Sequence, residues 1–503
     1  MRYNIPCAKV EIGIDELNFI EKLVQLYSTE KSGDWDSHYF FLAPKYFSTP
    51  LFISEQAFIL FEIATITLSL FLICGLSFVG KASEKYKRDF IKSSPTSFHA
   101  VANVSNLLKK SGFTELSESE PWKIEGGGKY FVTRNGSSLI SFCLPESKNA
   151  EKSFMMASSH SDSPSFKIKE NPERKESGCV KLNVEKYGGM LIAPWFDRPL
   201  SVAGRIVFSD GQGIKEKLVC IDRDLLMIPN LAIHMHRDAN DGHKIDVQKE
   251  VQPLLSLSEN ASLSELVAKE AGVKKEDILS QDLFLYARSQ PCKWGAEEEF
   301  ISAPRLDDLE CAWIGLQGFL QAEKSEAIQV YCLFDNEEVG SSTRQGADST
   351  FLSDSLERIA EKLGWSGEEY KIALSKSFMI SADNAHALHP NYAESADPVN
   401  RPKINGGVVI KYNAAQKYTS DAISSGFFKM ICKKAGVPYQ VFTNNSNVAG
   451  GSTLGNISQN HVSVATVDIG LAQWAMHSPY ESAGAEDVES MIKVMKCFFE
   501  SNT

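Results

Sequence analysis

Two adjacent carboxylates close an apolar run in Tyr331-Cys332-Leu333-Phe334-Asp335-Asn336-Glu337-Glu338, and Gly340 and Ser341 turn the chain away. Burying one unpaired carboxylate is costly, and two close together repel and tend to keep a proton. A cation answers both problems: one glutamate binds it while the other acts as a base on a water that it activates. Other segments end in similar residues. Ser153 to Ser159 leads into His160-Ser161-Asp162, and residues two apart share one side of an extended chain, so His160 can ligate while Asp162 orients it. Asp307 opens a helix in Arg305-Leu306-Asp307-Asp308-Leu309, and an aspartate can bridge two cations through its two oxygens. The strand Phe378 to Ala382 delivers Asp383, and His477 lies just beyond the strand Val462 to Ile469 and a short following segment.

Each of these has a plainer reading when taken singly. The glutamates can sit in a solvated turn, His160 and Asp162 in a hydrogen-bonded loop, and Asp307 at a helix N-cap. Asp383 can cap a turn and His477 can be a satisfied loop histidine. Jointly they put acids and histidines where buried strands leave the core, which in open α/β sheets is where the ligand crevice lies. Two histidines with several carboxylates suit zinc, with some tolerance for cobalt or manganese. The sequence has no Gly-x-Ser-x-Gly elbow and no Walker A motif, which leaves metal-activated water as the natural chemistry.

The elements that must position these groups begin at about Lys85. Ser93-Ser94-Pro95-Thr96-Ser97 is a helix start, followed by an apolar-periodic helix through Val101, Val104 and Leu108. Lys129 to Cys143 reads as two strands around Asn135-Gly136. From 167 to 291 the chain changes to short strands, among them Val180 to Val184 and Leu200 to Phe208, with a helix from Ser262 to Ala271. This reads as a β-rich domain inserted into a main domain made of 85–166 and 292–503, because the chemistry resumes only afterwards.

Residues 1–84 form an N-terminal extension with a plausible helix from Ile14 to Tyr27 and no catalytic signal. Within it, 57–80 is a membrane-helix candidate, since Ile63 to Gly80 carries no charge. Lys81, Lys85, Lys87 and Arg88 follow it, so a spanning segment would keep the C-terminal bulk in the cytoplasm. The competing reading is a buried helix or a dispensable extension. The chain has 503 residues, 43% of them hydrophobic and 23% charged, an ordinary globular composition. A formal charge of −12 gives no suggestion of nucleic acid or anionic lipid as a partner. Ten cysteines without a Cys-x-x-Cys pair suit reduced, cytosolic thiols.

From about Lys85 onward the sequence resembles the aspartyl aminopeptidases, a family of dinuclear zinc metallopeptidases. The resemblance rests on Ser159-His160-Ser161-Asp162-Ser163-Pro164, on Leu182 to Met190 with Tyr187-Gly188-Gly189, and on Trp195-Phe196-Asp197-Arg198-Pro199-Leu200. It continues through Arg305-Leu306-Asp307, Asp335-Asn336-Glu337-Glu338, Asp383-Asn384-Ala385-His386 and Ala475-Met476-His477-Ser478, in family order. It implies an α/β fold with a central mixed sheet flanked by helices and an inserted β-rich dimerisation domain. It also implies that His160, Asp307, Glu338, Asp383 and His477 hold two zinc ions, with Asp307 bridging. Glu337 is then the general base and Asp162 the acid orienting His160. The family preference is for an N-terminal Asp or Glu on a peptide. Lys411 matches the basic residue that meets that side chain, against the reading of a solvated strand lysine. His234 matches a histidine lent to a neighbouring subunit's site, against that of a satisfied loop histidine. Dimers building a dodecamer are implied as well. Asn447 and Gly450 stand where the family usually has an acid and a cysteine, which bears on fine specificity. The alternatives are a noncatalytic scaffold or cargo protein that keeps the family shell, and a related dinuclear zinc carboxypeptidase or deacylase.

Overall fold

The computed structural model describes residues 89–147 and 150–502. The helix expected over Ile14 to Tyr27 and the membrane-helix candidate 57–80 lie outside them. Among the described residues no helix is long and apolar enough to cross a membrane.

Among the described residues, nine strands form a mixed central sheet. In spatial order they are Thr114–Leu116, Lys129–Arg134, Ser138–Cys143, Ile328–Phe334, Phe154–His160, Phe378–Ala382, Ala465–Gly470, Val408–Tyr412 and Tyr439–Thr443. The four strands from Ile328–Phe334 to Ala465–Gly470 run parallel. Every residue of Ile328–Phe334, Phe154–His160 and Phe378–Ala382 is buried, as expected of parallel strands covered on both faces. Their side chains alternate between two cores. Met155, Ala157, Tyr331, Leu333 and Ile380 pack with the helices Ser97–Lys110, Leu306–Gln321 and Asp487–Phe499. Phe154, Met156, Val330, Cys332 and Met379 pack with Phe351–Lys362 and Leu454–Ser458 on the other face. This is the period-two geometry of strands serving two helical layers.

Register decides what happens at the carboxyl ends. Phe334 pairs with His160, and Ser381 with Ser158, so three neighbouring strands end almost level. The Asp335–Glu338 turn, the His160–Asp162 bend and Asp383 therefore leave the core side by side.

A second, antiparallel sheet of six strands lies between Ser165 and Ala287, in the order Ile214–Cys220, Leu200–Ser209, Ile278–Ala287, Ser165–Glu176, Cys179–Tyr187, Leu254–Ser256. It has its own core of Phe166, Leu182, Val184, Val202, Ile206 and Leu283, closed by Leu263, Val267 and Ala271 of the helix Leu263–Ala271. Ser262 caps that helix by accepting from the Glu265 N–H. A five-stranded sheet of Cys292–Trp294, Phe300–Ala303, Glu481–Gly484, Ala472–Trp474 and Ala385–His386 carries the chain on either side of His477.

Candidate metal centre

His160 is the last residue of its strand and is fully buried. Its Nδ1 lies 3.1 Å from the Asp162 carbonyl oxygen and 3.4 Å from Asp162 Oδ1, and its Nε2 faces Asp307 Oδ1 at 3.3 Å. Asp307 points its other oxygen, Oδ2, towards His477 Nε2 at 3.5 Å. His477 Nε2 is in turn 3.4 Å from Glu338 Oε2. One aspartate thus faces a histidine on each side.

Among the described residues, donor atoms converge in three groups, each with its atoms within 4.8 Å of one another: His160, Asp307, Asp308 and Asp383; His160, Glu337 and Glu338; and Asp307, Glu338 and His477. Asp307 Oδ1 and Glu338 Oε1 are buried and accept no hydrogen bond among the described residues. The histidine nitrogen near Asp307 Oδ1 is close but off hydrogen-bonding geometry. Orphaned carboxylate oxygens in a buried cluster are expensive unless something cationic meets them. The oxygen-and-imidazole donor set suits zinc.

The protonation preferences carry the same imprint. Burial pushes the Glu337 carboxyl up to about 8; nearby Asp383, Asp162 and Asp307 reinforce the rise while His160 opposes it. Glu338 is driven well above the usual carboxylate range by burial and then by Asp307. Burial works against charge on His160 too, yet Asp308, Asp162 and Asp307 outweigh it and raise its pKa well above the ordinary value. His477 rises to about 9 because Asp307 overcomes its desolvation. These shifts follow from carboxylates crowded together in a buried site poor in cationic side chains.

Local backbone explains the placement. Glu337 and Glu338 do not stand on a strand end as alternating residues; Glu337–Val339 is a 3-10 turn between left-handed Asn336 (φ 64°) and Gly340 (φ 96°). That turn separates the two side chains. It is held by Asp162, whose carboxylate accepts the Glu337 and Glu338 N–H groups at 3.2 Å each. Asp162 therefore supports both the His160 ring and the glutamate turn, a wider role than its spacing suggests.

Sequence reasoning missed two acids. Asp308 joins the His160–Asp383 group and accepts the His160 N–H at 3.1 Å; the Asp307-Asp308 doublet was its only trace. Glu481 is buried and accepts the Asp307 N–H at 2.9 Å on one oxygen and the His477 N–H at 2.7 Å on the other. Nothing in Tyr480-Glu481-Ser482 marks it, because it acts on backbone groups.

Lys411 is 2% exposed, which overturns its reading as a solvated strand lysine. Its ammonium donates to the Asp383 carbonyl at 2.8 Å, lies 3.4 Å from Asp383 Oδ2 and sits 5.2 Å from the Tyr418 ring centre. His234 is exposed on the loop that follows Pro229. Asn447 and Gly450 lie on the loop before Thr453, where a Cβ at Gly450 would come within 2.6 Å of Asn413 Nδ2.

This geometry can be set beside known proteins. The sequence profile of the aminopeptidase I zinc metalloproteases (M18) matches residues 90–499. The chain belongs to the M18 family of zinc aminopeptidases. It is 48% identical over 407 residues to a probable M18 family aminopeptidase 2 of Clostridium acetobutylicum, covering 79% of this chain and 94% of the relative. A probable M18 family aminopeptidase 2 of Pseudomonas aeruginosa is 41% identical over 421 residues, covering 82% and 97%. Among solved structures, the cryo-EM structure of the Ape4 and Nbr1 complex contains a chain with a TM-score of 0.81 and 35% identity, covering 84% of this chain and 86% of that one. Yeast aminopeptidase 1 superposes with a TM-score of 0.73 at 27% identity, covering 84% and 97%. Like those relatives, this M18 chain is a metallo-aminopeptidase on a mixed α/β fold.

Proposed function

We propose that the chain is a dinuclear aminopeptidase that removes acidic residues, Asp or Glu, from the N-terminus of peptides. The observation that carries this reading is Asp307, whose two oxygens face His160 and His477 from the centre of the cluster. His160, Asp307 and Asp383 would hold one zinc, and Asp307, Glu338 and His477 the other, with cobalt or manganese as possible substitutes. When bound, the pair supplies Lewis acidity for the scissile carbonyl and a water that is nucleophilic near neutral pH.

The chain's own residues do the rest. Glu337 takes the proton of the attacking water and passes it to the departing amine. Asp162 holds the Glu337 backbone so that this carboxylate and the ligand Glu338 keep separate directions. Lys411 puts a buried positive charge beside Asp383, the local basic group that an acidic side chain needs in a chain of net charge −12.

His234 would complete a neighbouring subunit's site. Its flanking Leu231, Ile233 and Met235 are 56%, 48% and 70% exposed, which favours cover by another copy of this chain through the inserted domain. A solved relative is a yeast aminopeptidase 1 dodecamer, and we place this chain in an assembly of the same kind. Cys143, Cys311, Cys332 and Cys432 are free and buried, in keeping with a cytoplasmic enzyme.

A panel of peptides differing only in the N-terminal residue, with and without a chelator, tests this reading. Chelator-sensitive release of Asp and Glu is expected, and Lys411→Ala should lower kcat/KM for those peptides at least tenfold more than for neutral ones. Equal turnover of neutral and acidic N-termini would defeat the specificity.

A further inference from the structure

The inserted sheet touches the metal cluster through one short segment. Tyr187 ends the strand Cys179–Tyr187, and its hydroxyl donates to Asp162 Oδ2 at 2.7 Å while accepting from Asn336 Nδ2 at 2.8 Å. Asp162 is the residue that holds the Glu337 and Glu338 N–H groups. Gly188 comes next with φ +79°, and a Cβ there would lie 3.1 Å from Glu338 Cβ. The Gly189 carbonyl accepts from His477 Nδ1, and the Leu191 N–H donates to the His477 carbonyl at 3.0 Å.

These contacts bear mainly on one half of the cluster: Tyr187 shares Asp162 Oδ2 with the Glu338 N–H, whereas His160 faces Asp162 Oδ1 and the Asp162 carbonyl. His477 has a left-handed backbone (φ 66°), a conformation uncommon for a non-glycine residue. Its N–H is held by Glu481, its carbonyl by Leu191 and its ring by Gly189. A proton fixed on Nδ1 leaves the Nε2 lone pair free to ligate, and the carbonyl behind it sets the ring's direction. The His160 half meets this segment only indirectly: its partners Asp162, Asp307 and Asp308 belong to the main sheet and its helices, and of these Asp162 alone touches Tyr187, through the oxygen turned away from His160.

We propose that Tyr187 to Leu191 is a positioning element of the metal centre, so that occupancy of the Glu338–His477 position, and not of the His160–Asp383 position, depends on the inserted sheet. This rests on the dinuclear reading above. The inserted sheet then has a second task besides covering a neighbour: it completes the partly exposed ligand of its own subunit.

The test uses the full chain loaded with zinc, counting zinc per chain and following its release to a chelator. Gly188→Ala forces a side chain against Glu338 on a backbone that resists it, and Tyr187→Phe removes one hydroxyl without touching the backbone. The control is Gly211→Ala, with the same kind of strain (φ +82°) at the tip of a hairpin of the inserted sheet and nothing within 4 Å. Two zinc ions per wild-type chain are expected, with one released about tenfold faster or more from Gly188→Ala, less so from Tyr187→Phe, and the other at the wild-type rate. Gly211→Ala should release both as wild type does, even where its melting temperature falls. In a parallel series loaded with cobalt, the absorption spectrum of the second ion should change in the two variants while that of the first stays as in wild type.

Wild-type release of both ions from Gly188→Ala and Tyr187→Phe overturns the proposal. So does the same selective loss from Gly211→Ala, which would mean general loosening of the sheet. If Gly188→Ala does not fold, Tyr187→Phe decides alone. Fewer than two zinc ions on the wild type would instead overturn the dinuclear reading itself.

Discussion

The two halves of the cluster share Asp307 but are built differently. His160 and Asp383 sit at or next to the ends of adjacent, fully buried parallel strands whose register fixes them, and the His160 side chain is 1% exposed. Glu338 and His477 lie in a 3-10 turn and on a left-handed loop residue, and the His477 side chain is 32% exposed. The first half inherits its geometry from the sheet. The second is assembled from hydrogen bonds to Asp162, Glu481, Gly189 and Leu191, drawn from distant parts of the chain. A parallel sheet can deliver one face of a two-cation site at little extra cost, whereas the opposite face has to be brought in by loops, each with its own supports.

Glu337 stands between the halves and ligates in neither proposed set, so its removal should separate chemistry from metal binding. Glu337→Gln should lower kcat by about 10²- to 10⁴-fold while zinc per chain stays at the wild-type value. Loss of zinc together with activity would place Glu337 among the ligands and collapse the distinction. A smaller effect compares the histidines directly. In chelated protein, His160→Ala should destabilise by about 3 kcal/mol, because it opens a buried site and leaves Asp307 and Asp308 without their nearest positive partner. His477→Ala should cost about 1 kcal/mol, since its side chain is 32% exposed and its contacts are weaker for it. Thermal unfolding of the two variants checks the order; equal losses would mean that the second half is as deeply built in as the first.

The same contrast governs how much could be read from the sequence. The buried runs Ser153 to Ser159, Tyr331 to Phe334 and Phe378 to Ala382 announce strands, and His160, Glu337, Glu338 and Asp383 directly after them announce what the strands deliver. Asp307 and His477 stood out less, and the resemblance supplied their roles. The level register of the three strands was not legible, because parallel neighbours are joined by long crossovers and pair through contacts that no local spacing encodes. Glu481 and Leu191 escaped for a related reason: each works on a backbone group, and any residue with an N–H or a carboxylate could stand in its motif. Lys411 had two readings until burial removed one, since a strand lysine looks the same whether its ammonium meets water or the Asp383 carbonyl.

The most direct measurement is anomalous diffraction at the zinc edge from crystals of the zinc-loaded protein. Two peaks roughly 3.5–4 Å apart, one on each side of Asp307, are expected. The peak beside His160 and Asp383 should be the fuller, and the one beside Glu338 and His477 the first to fade on brief exposure to chelator. A single peak, or two that do not share Asp307, would contradict the account.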